Sequence, residues 1–327
     1  MGVLKVKSRF VSAIVLMMLA LSAGCVPSLT GAHYLQQEDY DEGIRSMRQE
    51  LAQNPNDPAA NYYLGRMYMA KQEPEPALPY LEKAAKLDPE DSDYHFWVGV
   101  ANWALLNFDK EREAYRRALQ ANTRHVSANL YLAHNYLDRG EWENALAFYD
   151  RVLELDPYNP EALYSRGEAL YGMGRKEEAH QAWLEFMEAY PDGVLGFKAT
   201  ENLNLLGDYT YRNYILGQRK ITLRVPRFEM GETIMTLTDE SKPSLSVLGA
   251  MLENNRKLDV HVVVFDASGA ASAKRKALLI RNYVSRMWPE VDPSRLKPSW
   301  FGQGEKVETE DGTMTLDETV KFITVVE

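Results

Sequence analysis

The 327 residues contain one cysteine, Cys25, and six histidines. A lone cysteine forms no internal disulfide, and a single thiolate with scattered histidines makes a poor metal site. Basic residues are also in deficit, with 37 against 47 acidic, a net charge of −10. A chain this acidic is a poor general binder of nucleic acid. One long apolar run exists, Phe10 to Leu21. It is shorter than the roughly 20 residues a spanning helix needs. Signatures of catalysis are missing as well: there is no nucleophile elbow, phosphate-binding loop, dinucleotide fingerprint or spaced set of metal ligands. The sequence therefore implies no enzyme and no cofactor.

The cysteine has a context. Lys5, Lys7 and Arg9 precede the apolar run, and Ser22, Ala23 and Gly24 follow it. A basic start, a short apolar stretch and small residues describe a secretory signal peptide over 1–24. Leu21-Ser22-Ala23-Gly24-Cys25 resembles the lipobox of bacterial lipoproteins, with Ser22 where that family most often has Leu. The resemblance implies acyl chains on Cys25 and anchorage to a membrane, which more than one chain makes stable. Val26 rather than Asp at the next position implies the outer membrane, on its periplasmic face. Without residues 1–24 the chain keeps 34 basic and 47 acidic residues, a net of −13.

A period of 34 residues organises the next part of the chain. Pro55, Pro89, Pro157 and Pro191 share one register, with Thr123 in the remaining slot. Leu64-Gly65, Val98-Gly99, Leu132-Ala133 and Arg166-Gly167 repeat in step, as do Gly43, Ala77, Ala145 and Ala179. Small residues let paired helices approach closely, and proline stops the second helix. The pattern resembles the tetratricopeptide repeat (TPR). Four full repeats are expected at 58–91, 92–125, 126–159 and 160–193, after a shortened one over 28–57. A capping helix is expected over 195–206. The second full repeat departs most, with Glu111 at the usual small position.

The resemblance implies a superhelix whose first helices line a concave groove. Those positions are Tyr62, Arg66 and Met69; Phe96, Val100 and Trp103; Leu130, His134 and Leu137; Tyr164, Glu168 and Tyr171. Aromatics supply contact area typical of binding hot spots. The expected partner is a peptide or helix of another envelope protein. The alternative is that several of these rings pack between repeats.

The period ends near residue 207, giving an expected TPR domain over 25–207 and a linker over 208–218. Strand patterns at 221–225, 260–265 and 320–325 alternate with helical patterns at 244–252 and 270–288. This predicts a two-layer β-α-β-α-β domain over 219–327. The run Val262 to Asp266, the following Ala267-Ser268-Gly269, the basic helix and Phe301-Gly302-Gln303-Gly304-Glu305 together resemble the OmpA-like peptidoglycan-binding domain. The resemblance implies a ligand, the zwitterionic end of the peptidoglycan stem peptide. Such a group needs an anionic acceptor and a guanidinium fork. Asp266 is the candidate for the ammonium. Arg281 stands at the family's separation from Asp266, and Arg275 fits if the loop is shortened. Phe265 replaces the family's Thr, and Glu318-Thr319 stand where it often has Arg. A domain that keeps the fold and has lost the ligand is the alternative, with Lys274, Arg275 and Lys276 a solvated face. The whole then reads as a tethered envelope scaffold or as a pilotin-like assembly factor for a pilus or secretion system.

Overall fold

The computed structural model describes residues 26–231 and 234–325. Cys25 and the leader lie outside them. The chain divides into two compact units, Met1–Pro157 and Tyr158–Glu327.

The described part of the first unit is eight helices: α1 (Val26–Gln36), α2 (Tyr40–Gln53), α3 (Pro58–Ala70), α4 (Pro74–Leu87), α5 (Ser92–Ala104), α6 (Phe108–Ala121), α7 (Val126–Asp138) and α8 (Trp142–Leu155). The second unit opens with α9 (Pro160–Gly172), α10 (Lys176–Ala189) and α11 (Gly193–Leu205). The repeat boundaries follow the sequence expectation, and the local chemistry explains them. Asp57, Asp91, His125 and Asn159 each accept a backbone N–H of the following first turn. These N-caps satisfy donors that the helix itself leaves unpaired. The second helices stop at Asn54, Asp88, Asn122 and Asp156, just before the proline slots.

Within a repeat, a small residue on the first helix faces a large one on the second. A Cβ on Gly99 would lie 2.2 Å from the Tyr115 ring. Leu81, Tyr149 and Trp183 stand at the same place in the other repeats, and all are buried. Glu111 does not loosen the second repeat. It is buried and accepts a hydrogen bond of 3.0 Å from Asn135 Nδ2. Burial pushes its carboxyl up to about 7, against the smaller effects of Asn135 and Arg112.

The turns between paired helices each need one residue in the left-handed region. In the last two repeats it is Gly140 (φ 70°) and Gly174 (φ 74°). In the earlier ones Gln72 and Leu106 take the same conformation, at φ 60° and 61°. A non-glycine residue there costs roughly 1–2 kcal/mol.

The rest of the second unit contains β1 (Tyr211–Leu216), β2 (Arg219–Arg224), β3 (Phe228–Met230), β4 (Met235–Leu237), α12 (Lys242–Asn254), β5 (Asp259–Asp266), α13 (Ala270–Met287), β6 (Leu296–Phe301), β7 (Glu305–Thr309), β8 (Gly312–Leu316) and β9 (Glu318–Val325). β5 is central, parallel to β6 and antiparallel to β9. The hairpins β1–β2, β3–β4 and β7–β8 flank this sheet in the chain. Val260, Val262 and Val264 of β5 join Ala273, Ala277, Ile280 and Val284 of α13 and Leu245, Leu248 and Leu252 of α12 in one core. The expected β-α-β-α-β elements are all present, with β1, two further hairpins and β6 in addition.

The expected linker 208–218 is not one. Residues 211–216 pair with β2 along their whole length. The segment is also tied to the capping helix. Asn204 Nδ2 donates to the carbonyls of Thr200, Asp208 and Tyr211, and Glu310 N donates to Leu205 O. His180 of α10 meets Asp208 at 2.8 Å, and Lys176 meets Glu310 at 3.1 Å. Arg212 lies at the centre of this junction. Its guanidinium makes two hydrogen bonds to buried Glu305, at 2.7 and 3.2 Å, and stacks 4.7 Å from the Tyr209 ring. The last repeat and the α/β part thus belong to one compact unit, tied by these hydrogen bonds and ion pairs.

Candidate functional site

The first candidate is the face built from the first helices of the repeats. Tyr62 and Phe96 are buried, and so is Tyr164 in the second unit. Tyr62 sits 4.8 Å from the Tyr94 ring, and burial pushes its hydroxyl up to about 12. Phe96 packs among Tyr115, His125 and Tyr131 with centroids 5.1–5.7 Å away. Arg66 is held from two sides. Its Nη1 donates to the Tyr62 hydroxyl at 2.6 Å, and its guanidinium lies 3.6 Å from the Trp97 ring centre. His134 Nδ1 shares a hydrogen bond of 2.7 Å with the Tyr149 hydroxyl. The Tyr164 hydroxyl donates to Glu168 at 3.0 Å. Most of the residues expected to line an open groove thus hold the repeats together. The physical reason is ring size: an aromatic on the first helix reaches the second helix of its own repeat and the rings of the next.

Two expected residues are exposed. Trp103 is 52% exposed, and Tyr171 is 37% exposed with a hydrogen bond to Glu310. Trp103 does not stand alone. Leu106 is 70% exposed in the turn that follows α5, and Phe108, the first residue of α6, is 44% exposed. Leu106 holds the left-handed position that is glycine in later repeats. Sequence reasoning passed over Leu106 and Phe108 because they fall outside the first helices, Leu106 between α5 and α6 and Phe108 at the start of α6. The signal was a bulky apolar residue in a glycine slot.

The second candidate is the end of β5. Asp266 is 3% exposed. One carboxylate oxygen accepts from Ser268 N at 2.9 Å and Ser268 Oγ at 2.5 Å, and the other accepts from Lys276 Nζ at 2.6 Å. Burial alone would raise this carboxyl. The Lys276 ammonium and the Ser268 and Ser272 hydroxyls outweigh it and hold the group well below the usual carboxylate range. Lys276 is itself buried, also pairs with Glu318, and lies 5.5 Å from the Phe228 ring. Burial would lower its ammonium, but the two carboxylates hold it above its ordinary value.

Neither expected arginine joins this centre. Arg275 is exposed and Arg281 half-buried on α13, and among the described residues neither pairs with Asp266. Lys276, expected on a solvated face, points inward because it shares the helix face of Ala273, Ala277 and Ile280. Among the described residues no group of three or more His, Cys, Asp or Glu is placed to hold a metal ion. No described helix is long and apolar enough to cross a membrane.

Comparison with known proteins bears on the helical part. A family described as the cytochrome c-type biogenesis protein H TPR domain matches residues 28–163, and a tetratricopeptide repeat family matches 136–192. A TPR repeat-containing protein of Methanocaldococcus jannaschii is 23% identical over 239 residues, which is 72% of this chain and 40% of that protein. Anaphase-promoting complex subunit 3 of Schizosaccharomyces pombe is 28% identical over 109 residues, 33% of this chain and 16% of that protein. The chain spans 40% or less of the length of the curated relatives it matches. Among solved structures, a MamA protein is 26% identical with a TM-score of 0.47, covering 51% of this chain and 91% of its own. YrrB, described as a TPR protein with an unusual peptide-binding site, is 19% identical with a TM-score of 0.48, covering 54% and 90%. With the family matches over 28–192, the caps, turns and small-against-large pairs in step every 34 residues make this chain a tetratricopeptide-repeat protein.

Proposed function

We propose that the protein is a non-catalytic interaction scaffold of the bacterial envelope, anchored through acyl chains on Cys25 at the outer membrane. Its repeats take a protein partner. The observation that carries this reading is the α5–α6 corner, where Trp103, Leu106 and Phe108 are each large, apolar and exposed. Leu106 adds backbone strain at that turn, so the fold alone gives no reason to keep it. The inner aromatics then serve to set the repeat geometry rather than to touch the partner.

The C-terminal domain fits the assembly-factor reading better than wall tethering. Asp266 already holds an ammonium, that of Lys276, and its remaining acceptor positions are engaged by Ser268. A stem-peptide ammonium would have to displace a buried, doubly paired lysine. The wall-tether reading rests on the resemblance of residues 219–327 and on Asp266 standing at the end of the central strand. A photo-crosslinking residue in place of Trp103, introduced into the cell that makes the protein, tests the partner site. The expected result is one discrete crosslinked protein that disappears when Leu106 and Phe108 are changed to Ser. A crosslink pattern unaffected by that double change would defeat the assignment of the turn.

A further inference from the structure

Exposed cations elsewhere on this acidic chain are commonly held by carboxylates, as Arg45 is by Glu42, Lys71 by Asp41, Arg139 by Asp109 and Lys242 by Asp239. One cavity of the second unit departs from that habit. It encloses about 1020 Å³ between the β1–β2 turn and the loop from α12 to β5. Arg219 stands beside the turn, and Arg256 and Lys257 stand on the loop. All three are exposed, and among the described residues none of them forms an ion pair. Among the described residues, the single carboxylate on the cavity wall is Asp259, held by Lys297 at 2.8 Å and by Arg295 at 3.8 Å.

The loop is held in place, with its first and last carbonyls and the Asn255 side chain engaged. Arg295 donates to the carbonyls of Asn255 and Leu258, and Asn255 Oδ1 accepts from Lys257 N at 3.1 Å. The turn residue Gly217 (φ 65°) brings the hairpin close, its Cβ position 3.8 Å from Asn255 Nδ2. The cavity lining includes two guanidinium groups, an ammonium and side-chain amides. Opposite them Val247, Ala250 and Met251 supply an aliphatic wall. Three like charges on one cavity, none of them paired with its carboxylate, repel one another, which a bound anion relieves. Two guanidinium groups and an ammonium offer more N–H donors than one carboxylate accepts, and they match the oxygens of a phosphate.

We propose that this cavity binds a phosphate group carried on an apolar body. A lipid headgroup and a soluble phosphate ester share that chemistry, and the test separates them. Residues 26–327 hold every described element and exclude the acyl anchor. This chain is titrated with inorganic pyrophosphate by calorimetry at low ionic strength, and is sedimented with vesicles of phosphatidylglycerol or of phosphatidylcholine. The expected result is binding to pyrophosphate that weakens by about tenfold or more in the Arg219→Gln/Arg256→Gln/Lys257→Gln variant, as loss of charge-assisted hydrogen bonds requires. An Arg45→Gln/Lys71→Gln control, on paired cations of the other unit, leaves it unchanged. Sedimentation with phosphatidylglycerol but not phosphatidylcholine assigns the lipid source, and pyrophosphate binding without sedimentation assigns a soluble ester. Unchanged melting of the triple variant shows that the loss is one of binding, and the single Arg256→Glu change gives the same direction. Absence of binding to both probes, or a triple variant that binds like the wild type, overturns the proposal.

Discussion

The Lys276 ammonium lies 2.6 Å from the Asp266 carboxylate, and both side chains are buried at the end of the central strand. An internal lysine therefore occupies the carboxylate that the sequence offers to a ligand. Removing one partner leaves an uncompensated buried charge, while replacing both with apolar or neutral groups does not. Lys276→Met is expected to cost about 3–5 kcal/mol in urea unfolding, and Asp266→Asn/Lys276→Met to recover most of it. The depressed Asp266 carboxyl contributes stability above its ordinary value of 3.8, lost as pH falls below it. The raised Lys276 contributes stability below its ordinary value of 10.5, lost as pH rises beyond it. Both arms of the pH profile should flatten in the double variant. A double variant whose loss equals the sum of the Asp266→Asn and Lys276→Met losses would show that the pair is not coupled.

Glu111 has the opposite sign. Its carboxyl is raised to about 7, so the folded state holds a proton that the unfolded state releases from 4.5 upward. Its contribution to stability is greatest below pH 4.5 and is lost as pH rises to 7. The loss amounts to roughly 3 kcal/mol once the group ionises. Glu111→Gln should remove that slope and melt higher than the wild type at pH 8. A variant that keeps the slope would place its origin elsewhere.

Leu106→Gly separates strain from binding. The left-handed turn suits glycine, so the change should raise stability by about 1 kcal/mol or leave it level. The same change should reduce the crosslink formed from position 103. Destabilisation by more than about 1 kcal/mol would mean that the exposed side chain packs after all.

The repeat caps give a simple control on the helical account. Asp57 is buried and accepts the Ala60 N–H at 2.8 Å. Asp57→Ala should cost about 1 kcal/mol, and Asp57→Asn much less. Thermal melting of the two variants checks the order.

The helical part was legible because each repeat uses the same few physical devices. Prolines, small residues and apolar faces recur every 34 positions, and the structure adds caps and turn residues in the same register. The strands at 221–225, 260–265 and 320–325 were legible from β-branched residues. β1 was not, since Tyr211-Arg212-Asn213 mixes polar groups whose partners, Glu305 and the Phe197 carbonyl, are distant in sequence. The hairpins β3–β4 and β7–β8 have strands of three to five residues, too short for a clear period. For Tyr62 and Phe96 the alternative of packing between repeats describes their burial. Position on the first helix says which way Tyr62 and Phe96 point, but not that neighbouring rings bury them. Lys276 was lost inside the run Lys274-Arg275-Lys276, although its spacing from Ala273 and Ile280 places it on the inner face.

The most direct test of the account is sedimentation of the chain with isolated sacculi whose stem peptides carry the free zwitterionic end, at moderate salt. Asp266 held by Lys276 predicts that the wild type stays in the supernatant, as Asp266→Ala does. A wild type that pellets with the wall while Asp266→Ala does not would contradict it, and would restore Asp266 as a wall anchor.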